Sequence, residues 1–207
     1  MGDGSVKKKD NKDLLREVFH AFKNNLQIIC SILYLQTSDV KSTETVEVLK
    51  ITESRVKTIA LAYDKLYASG NYDIINFGEY ARDLSESVFF LYPDVSQKIV
   101  LDVDIDDTIE FDIKTAIPCG LIIAEVITNS LRHAFKNASS GNIFIRCAVK
   151  NKKYVLEAGN DGIDFPEKIN MKKPETLGLQ LISSLVSQLG GNVSMKRTGG
   201  TEYTIKF

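Results

Sequence analysis

Residues 13–36 read DLLREVFHAFKNNLQIICSILYLQ. In this stretch Leu15, Phe19, Phe22, Leu26, Ile29 and Leu33 recur at alternating spacings of four and three, which draws one apolar seam down a long helix. Leu14, Val18, Ala21, Ile28, Ile32 and Leu35 widen the seam beyond what a single neighbouring helix covers. Thr37, Ser38 and Asp39 interrupt the pattern. A second periodic run follows from about Ser42 to Ala68, with Leu49, Val56, Ile59, Tyr63 and Leu66 on its seam. Two helices cannot enclose a core, whereas two copies of a hairpin can, so the pattern predicts a homodimeric four-helix bundle.

His20 stands apart on the first helix. Arg16, Glu17, Lys23, Asn24 and Gln27, three, four and seven positions away, are all polar, so the ring belongs to the wet face. An ordinary imidazole titrates near about pH 6.5 and, when neutral, has a ring nitrogen free to attack phosphorus. From spacing alone, a solvated surface histidine is the competing reading.

After Ser69, Gly70 and Asn71 the sequence changes to mixed helix and strand. We therefore expect a flexible tail over residues 1–12, a helical hairpin over 13–72 and a second domain over 73–207. In that domain the patterns predict a helix at 77–91 and a strand in which Ile99, Leu101, Val103 and Ile105 alternate with Val100, Asp102 and Asp104. Thr108 to Phe111 is expected as the hairpin partner of that strand. A long helix over about 114–135 tolerates Pro118 in its first turns. Strands at 142–150 and 153–157, a helix at about 179–189 and a terminal hairpin through Gly199-Gly200 complete it. The fold class is α+β, a helical hairpin followed by an α/β sandwich of one sheet and three helices.

The chain has 26% charged and 43% apolar residues and a formal net charge of -1, an ordinary globular composition. Lys and Arg are balanced by acids and do not gather on one element, which argues against a nucleic-acid partner. Lys7-Lys8-Lys9 reads as part of the solvated tail. Cys30, Cys119 and Cys147 lie far apart in apolar surroundings, as small core residues of a reduced compartment would. With no apolar run long enough for a bilayer or a signal peptide, we expect a cytoplasmic chain that receives its signal from a sensor domain or a partner in trans.

The long helix of the second domain carries Glu125, Asn129 and His133 at i, i+4 and i+8, with Arg132 beside them, while its other faces hold Leu121, Ile122, Ile123, Val126, Ile127 and Leu131. So apolar a helix needs something polar for that stripe to face. Phosphates with Mg²⁺ fit, since an amide oxygen suits a hard cation and Arg or His can donate to phosphate oxygens. A partly solvated helix face fits as well. Thr176-Leu177-Gly178 opens the last helix, where free backbone N–H groups favour an anion. Lys168, Lys172 and Lys173, between Pro166 and Thr176, are placed to reach phosphates from a short lid.

The string Glu17-Val18-Phe19-His20-Ala21-Phe22-Lys23-Asn24-Asn25-Leu26-Gln27 resembles the E-x-x-H-R-V-K-N-N-L-Q signature of sensor histidine kinases of the HWE-like subgroup. Ala62-Tyr63-Asp64-Lys65-Leu66-Tyr67 and Phe77-Gly78-Glu79-Tyr80 are also similar to that family. Glu125 to Ala134 resembles the N box of the Bergerat superfamily of ATPases, and Thr176-Leu177-Gly178 its second glycine box. Gly159 to Pro166 stands where the family has D-x-G-x-G. The resemblance runs from about residue 14 to 207, with the motifs in the family's order.

What the resemblance implies is a histidine kinase core. His20 would accept phosphate from ATP and pass it to an aspartate of a response-regulator receiver domain. Asn129 would hold Mg²⁺ and Glu125 would stand at the position of the acidic base. Arg132, His133, Asn160, Gly162, Thr176, Leu177 and Gly178 would line the ATP site. The sequence departs from the family at Ala21 and Phe22, leaving Lys23 and Arg16 to supply positive charge near His20. It departs again at Asn160, where the family's aspartate accepts from the adenine amino group, and at Asp164, where a second glycine belongs and where a Cβ and a negative charge are unfavourable near a polyanion. The alternative left open by those two is a phosphotransfer protein or pseudokinase that relays phosphate without kinase activity.

Overall fold

The computed structural model describes residues 3–68, 73–135, 138, 140–164 and 176–207, with side chains from Leu14 onward. The chain divides into two compact units, Met1–Ile74 and Ile75–Phe207, and the cut falls inside the first short strand.

In the first unit, α1 (Asp3–Asp39) and α2 (Thr43–Ala68) form an antiparallel pair. Residues 3–12, expected as a flexible tail, are instead helical. No proline interrupts residues 3–39, and lysines propagate a helix readily once it is nucleated. Phe19 and Phe22 meet Tyr63, with ring centroids 5.9 and 4.5 Å apart, and Lys23 Nζ lies 2.7 Å from Asp64 Oδ1. These contacts fix the register of the pair. Phe19, Leu26 and Leu33 are half-buried, whereas Leu14, Val18, Ile28, Ile32 and Leu35 are 51–65% exposed. The hairpin therefore leaves the second half of its broad stripe uncovered.

The second unit begins at β1 (Ile74–Asn76), followed by α3 (Phe77–Phe89). Asn76 caps α3 by accepting from Glu79 N–H at 2.9 Å. A single turn, α4 (Pro93–Ser96), leads to β2 (Ile99–Ile105) and β3 (Glu110–Asp112). The expected pairing of this last segment with β2 is wrong: β3 pairs with β1 in a separate two-stranded sheet. The Asp106–Thr108 turn, where Thr108 N–H donates to Asp106 Oδ1, and the Arg82–Asp107 ion pair carry the chain away from β2.

Next come α5 (Ile113–Asn129), β4 (Gly141–Lys150), β5 (Lys153–Asn160), α6 (Leu177–Gln188), β6 (Asn192–Lys196) and β7 (Thr201–Lys206). The main sheet runs β2-β4-β5-β7-β6, with β2 parallel to β4 and the other pairs antiparallel. One face of the sheet carries the buried Ile143, Ile145, Leu156, Ala158, Tyr203 and Ile205. The face of β4 and β5 turned away from it carries Arg146, paired with Asp102, and Lys150, paired with Glu157. α3 and α6 both pack on α5, which is buried along almost its whole length. That burial accounts for its near-continuous apolar sequence.

Two details of α5 position the site. Asp112 caps its start by accepting from Thr115 N–H at 2.8 Å, and its end does not continue as an α-helix to Phe135 as expected. After Asn129 the chain widens into a π-helical turn over Ser130–Ala134. Cys119 and Cys147 are buried and Cys30 is half-buried; burial pushes all three thiols up, that of Cys147 to about 12.

α3 and α5 meet at Tyr80, whose fully buried ring lies against Gly120. A Cβ at position 120 would collide with the phenol of Tyr80, which the surrounding core leaves no room to move. Gly120→Ala is therefore expected to destabilise the fold by about 1–3 kcal/mol despite alanine's better helix propensity. Urea unfolding measures this, and a variant as stable as the parent would show that α3 and α5 are not in that close contact.

Candidate functional site

The end of α5, the π turn, the end of β5 and the start of α6 converge on a cavity of about 300 Å³. It is lined by Val126, Asn129, Ser130, His133, Ala134, Asn160, Ile163, Asp164, Thr176, Thr201 and Tyr203. Of the residues expected at the ATP site, Asn129, His133, Asn160 and Thr176 are in this lining, and Glu125, Arg132, Gly162, Leu177 and Gly178 are not.

The Asn160–Asp164 segment is anchored at every step and is not a free turn. Asn160 closes β5 and is 7% exposed. Its Nδ2 donates to Ser130 Oγ at 2.8 Å, and its Oδ1 accepts from Gly162 N–H at 3.1 Å. Ser130 in turn donates to Val126 O at 2.7 Å. Asp161 accepts from Asn142 N–H at 2.7 Å, and Ile163 N–H donates to Ala134 O at 3.0 Å. Asp164, at the place where a glycine was expected and a negative charge looked unfavourable, accepts from Gly200 N–H at 2.7 Å. That bond ties its carboxylate to the turn before β7. Gly162 lies so close to Ala134 and Phe135 that a Cβ would come within 2.6 Å of Ala134 O. Only glycine fits there.

Glu125 and Gly178 come together next to Asn129, outside that lining. A Cβ on Gly178 would lie 2.7 Å from Glu125 Oε2 and 3.5 Å from Asn129 Nδ2, so the backbone at the start of α6 rests against both side chains. Glu125 itself is 3% exposed. Thr176 caps α6, its Oγ1 accepting from Leu179 N–H at 3.5 Å, while Leu177 is 66% exposed. The carboxylate of Glu125 thus sits beside the positive end of a twelve-residue helix. Tyr203, on the cavity wall, has its phenol pushed up to about 12 by burial, an effect that Arg197 partly offsets. The expected lid lysines, Lys168, Lys172 and Lys173, lie outside the described residues.

On the hairpin, His20 is exposed, and the Asn24 amide lies 3.2 Å from its Nδ1. The atom that faces the ring is Nδ2, an amide donor, so Nδ1 accepts with its lone pair. Two shallow hollows flank the ring. One is lined by Arg16, Glu17, Ala21, Asn24 and Tyr67, the other by Phe19, Lys23, Tyr63, Asp64 and Tyr67. Of the two cations expected to serve His20, Lys23 is paired with Asp64. Arg16 donates from Nε to Tyr67 Oη at 3.0 Å, with its guanidinium 5.5 Å from that ring's centroid. The sequence reading gave no role to Ser130, Asn24 or Tyr67. Only the i, i−4 step from Ser130 to Val126 and the i, i+4 step from His20 to Asn24 pointed to two of them.

Comparison with known proteins agrees with this arrangement. The family model described as histidine kinase matches residues 17–92, and the model for histidine kinase-, DNA gyrase B- and HSP90-like ATPases matches residues 115–207. The sensor histidine kinase PdtaS of Mycobacterium tuberculosis is 29% identical over 215 residues, covering 97% of this chain and 41% of that protein. Blue-light-activated histidine kinase 2 of Erythrobacter litoralis is 29% identical over 192 residues, covering 90% and 54%. The chain thus spans about half or less of the length of these curated relatives. The solved histidine kinase domain of the Erythrobacter litoralis EL346 protein superposes with a TM-score of 0.72 at 25% identity, covering 96% of this chain and 94% of that one.

Ser130→Ala would remove the oxygen that holds the Asn160 amide and leave a buried N–H unpaired. The expected cost is about 1–3 kcal/mol, read as a lower urea midpoint. An unchanged midpoint would mean that the Ser130–Asn160 bond does not hold the β5 end to α5.

Proposed function

The chain belongs to the histidine kinases of two-component systems, and on that premise we propose that it transfers the γ-phosphoryl group of ATP to His20 and then to an aspartate of a response-regulator receiver domain. The observation that carries this reading is the meeting of Asn129, His133, Asn160 and Thr176 around one cavity, from three separate stretches of sequence, with Glu125 and Gly178 in contact beside Asn129. In the proposed division of labour the hairpin dimerises and bears the phosphoryl group, and the second unit binds the nucleotide.

The residues present fit that ligand. A buried amide with spare hydrogen-bonding capacity lines a largely apolar cavity, and beside Asn129 of the same lining stands a glycine where a Cβ would crowd Glu125. Asn160 and Gly162 would hold the base, and the N–H groups of Leu177 and Gly178 at the α6 start would meet phosphate, with His133 and Arg132 nearby on the π turn. Asn129 would hold Mg²⁺ through Oδ1, the metal supplying charge neutralisation on the phosphates.

At the acceptor, a ring nitrogen of His20 forms the N–P bond as the bond from the γ-phosphorus to the bridging oxygen breaks, and ADP leaves with that electron pair. Asn24, whose Nδ2 donates to Nδ1, holds the orientation of the ring. Glu125 orients the groups around Asn129 and Gly178. The uncovered stripe of Leu14, Val18, Ile28, Ile32 and Leu35 supports a second copy of the hairpin as partner. Transfer in cis or across such a dimer uses the same groups. Among the described residues no helix is long and apolar enough to cross a membrane, which is compatible with a cytoplasmic location.

Incubation with γ-labelled ATP and Mg²⁺ is expected to give acid-labile, base-stable label that is absent from His20→Ala. In Asn24→Ala its appearance should slow on the order of tenfold to a hundredfold. Label retained in His20→Ala would put the acceptor elsewhere, and no label in any form would remove the kinase reading.

A further inference from the structure

Asn160 differs chemically from a carboxylate in the one respect that matters for choosing a base. A primary amide has two N–H donors and two carbonyl lone pairs. Among the described residues, one hydrogen goes to Ser130 Oγ and one lone pair accepts from Gly162 N–H. One donor and one acceptor therefore remain, on a side chain 7% exposed that lines the cavity. The sense of the amide is fixed as well. Gly162 N–H meets only an acceptor, so Oδ1 faces it. Ser130, whose own hydrogen goes to Val126 O, is left to accept from the nitrogen. Val126, Ala134, Ile163 and the Tyr203 ring give the neighbouring walls an apolar character suited to the faces of a flat heterocycle.

We propose that Asn160 makes the base end of this cavity ambivalent between 6-amino and 6-oxo purines, so that hypoxanthine and guanine nucleotides bind alongside adenine nucleotides. The proposal rests on reading the cavity as a nucleotide site. A 6-amino group donates to the remaining lone pair of Oδ1, and a 6-oxo group accepts from the remaining hydrogen of Nδ2, one matched bond in either case after a small in-plane shift of the base. A carboxylate in the same place offers acceptors alone. It would hold the 6-amino group and set oxygen against oxygen for the 6-oxo group, a mismatch worth a factor on the order of ten to a hundred in affinity.

Calorimetric titration of the full chain with Mg-ATP and with the Mg complex of inosine triphosphate tests this, since the two bases differ only at position 6 and in the proton on N1. The expected result is a pair of dissociation constants within about tenfold of each other in the native chain, and a ratio shifted at least tenfold toward ATP in Asn160→Asp. The native ratio is informative by itself, so the test survives a variant that folds poorly. ATP binding with a gap wider than tenfold in the native chain, or a ratio unmoved in a folded Asn160→Asp, overturns the role given to Asn160 and leaves the ATP site standing. Binding of neither nucleotide overturns the nucleotide reading and this inference with it.

Discussion

A carboxamide sealed at the end of a strand has to be satisfied, and in this fold the group that satisfies it is the hydroxyl of Ser130. An unpaired buried N–H costs about 1–3 kcal/mol, a sizeable part of the stability of a domain this small. The bond ties the last residue of β5 to the first residue beyond α5. With the Ser130–Val126 bond behind it and the Gly162 N–H in front, it makes a continuous chain of donors and acceptors across the cavity wall. The position of every other group on that wall follows from where those two elements are held.

The π turn follows from the same requirement. A regular α-helix continued through Ser130–Ala134 would keep Glu125, Asn129 and His133 on one rail, as their spacing suggests. The wider turn begins only after Asn129, so of the three it moves His133 off that rail. Glu125 stays packed inside against Gly178, Asn129 reaches the rim, and His133 lies in the open beside it. One stripe in the sequence thereby becomes a graded series, from a sealed carboxylate to a solvated imidazole. Ala134, which ends the turn, accepts from Ile163 N–H and blocks any side chain at Gly162. The turn and the Asn160–Asp164 segment therefore shape each other.

The helices and strands were legible because each has the period its burial requires: alternation in β2, near-continuous apolar residues in the doubly packed α5 and a four-three seam in α1. Pairing was less legible. β3 is three residues long, and nothing in Glu110-Phe111-Asp112 says which edge it will join. The candidate site was legible as a set of polar interruptions in apolar elements, but its wiring was not. The charge on Asp164 looked like a liability until Gly200, at φ 111°, turned out to present its N–H to it. Local spacing carries no trace of a bond 36 residues long. The helix over residues 3–12 went unread for the opposite reason. Polar composition was read as a tail, although nothing in it stops a helix already begun.

The hairpin presents three faces, which follow from about 100° of rotation per residue on α1. Phe19, Leu26 and Leu33 turn toward α2. Leu14, Val18, Ile28 and Ile32 lie on a second face, and Arg16, His20, Lys23, Asn24 and Gln27 lie on a third. A second copy laid along the exposed stripe would bury apolar surface worth about 25 cal/mol for each Å² removed from water and would leave the third face in solvent. Association and access to His20 therefore do not compete for the same side chains. The groups that would otherwise crowd the ring are already occupied: Lys23 is turned to Asp64, Arg16 is laid on Tyr67, and the Asn24 amide is hydrogen-bonded to the imidazole. A nucleophile that, on the proposed function, meets a nucleotide in one step and a receiver domain in the next needs an open approach and a held ring, and this face of α1 supplies both from residues within one helical turn of His20.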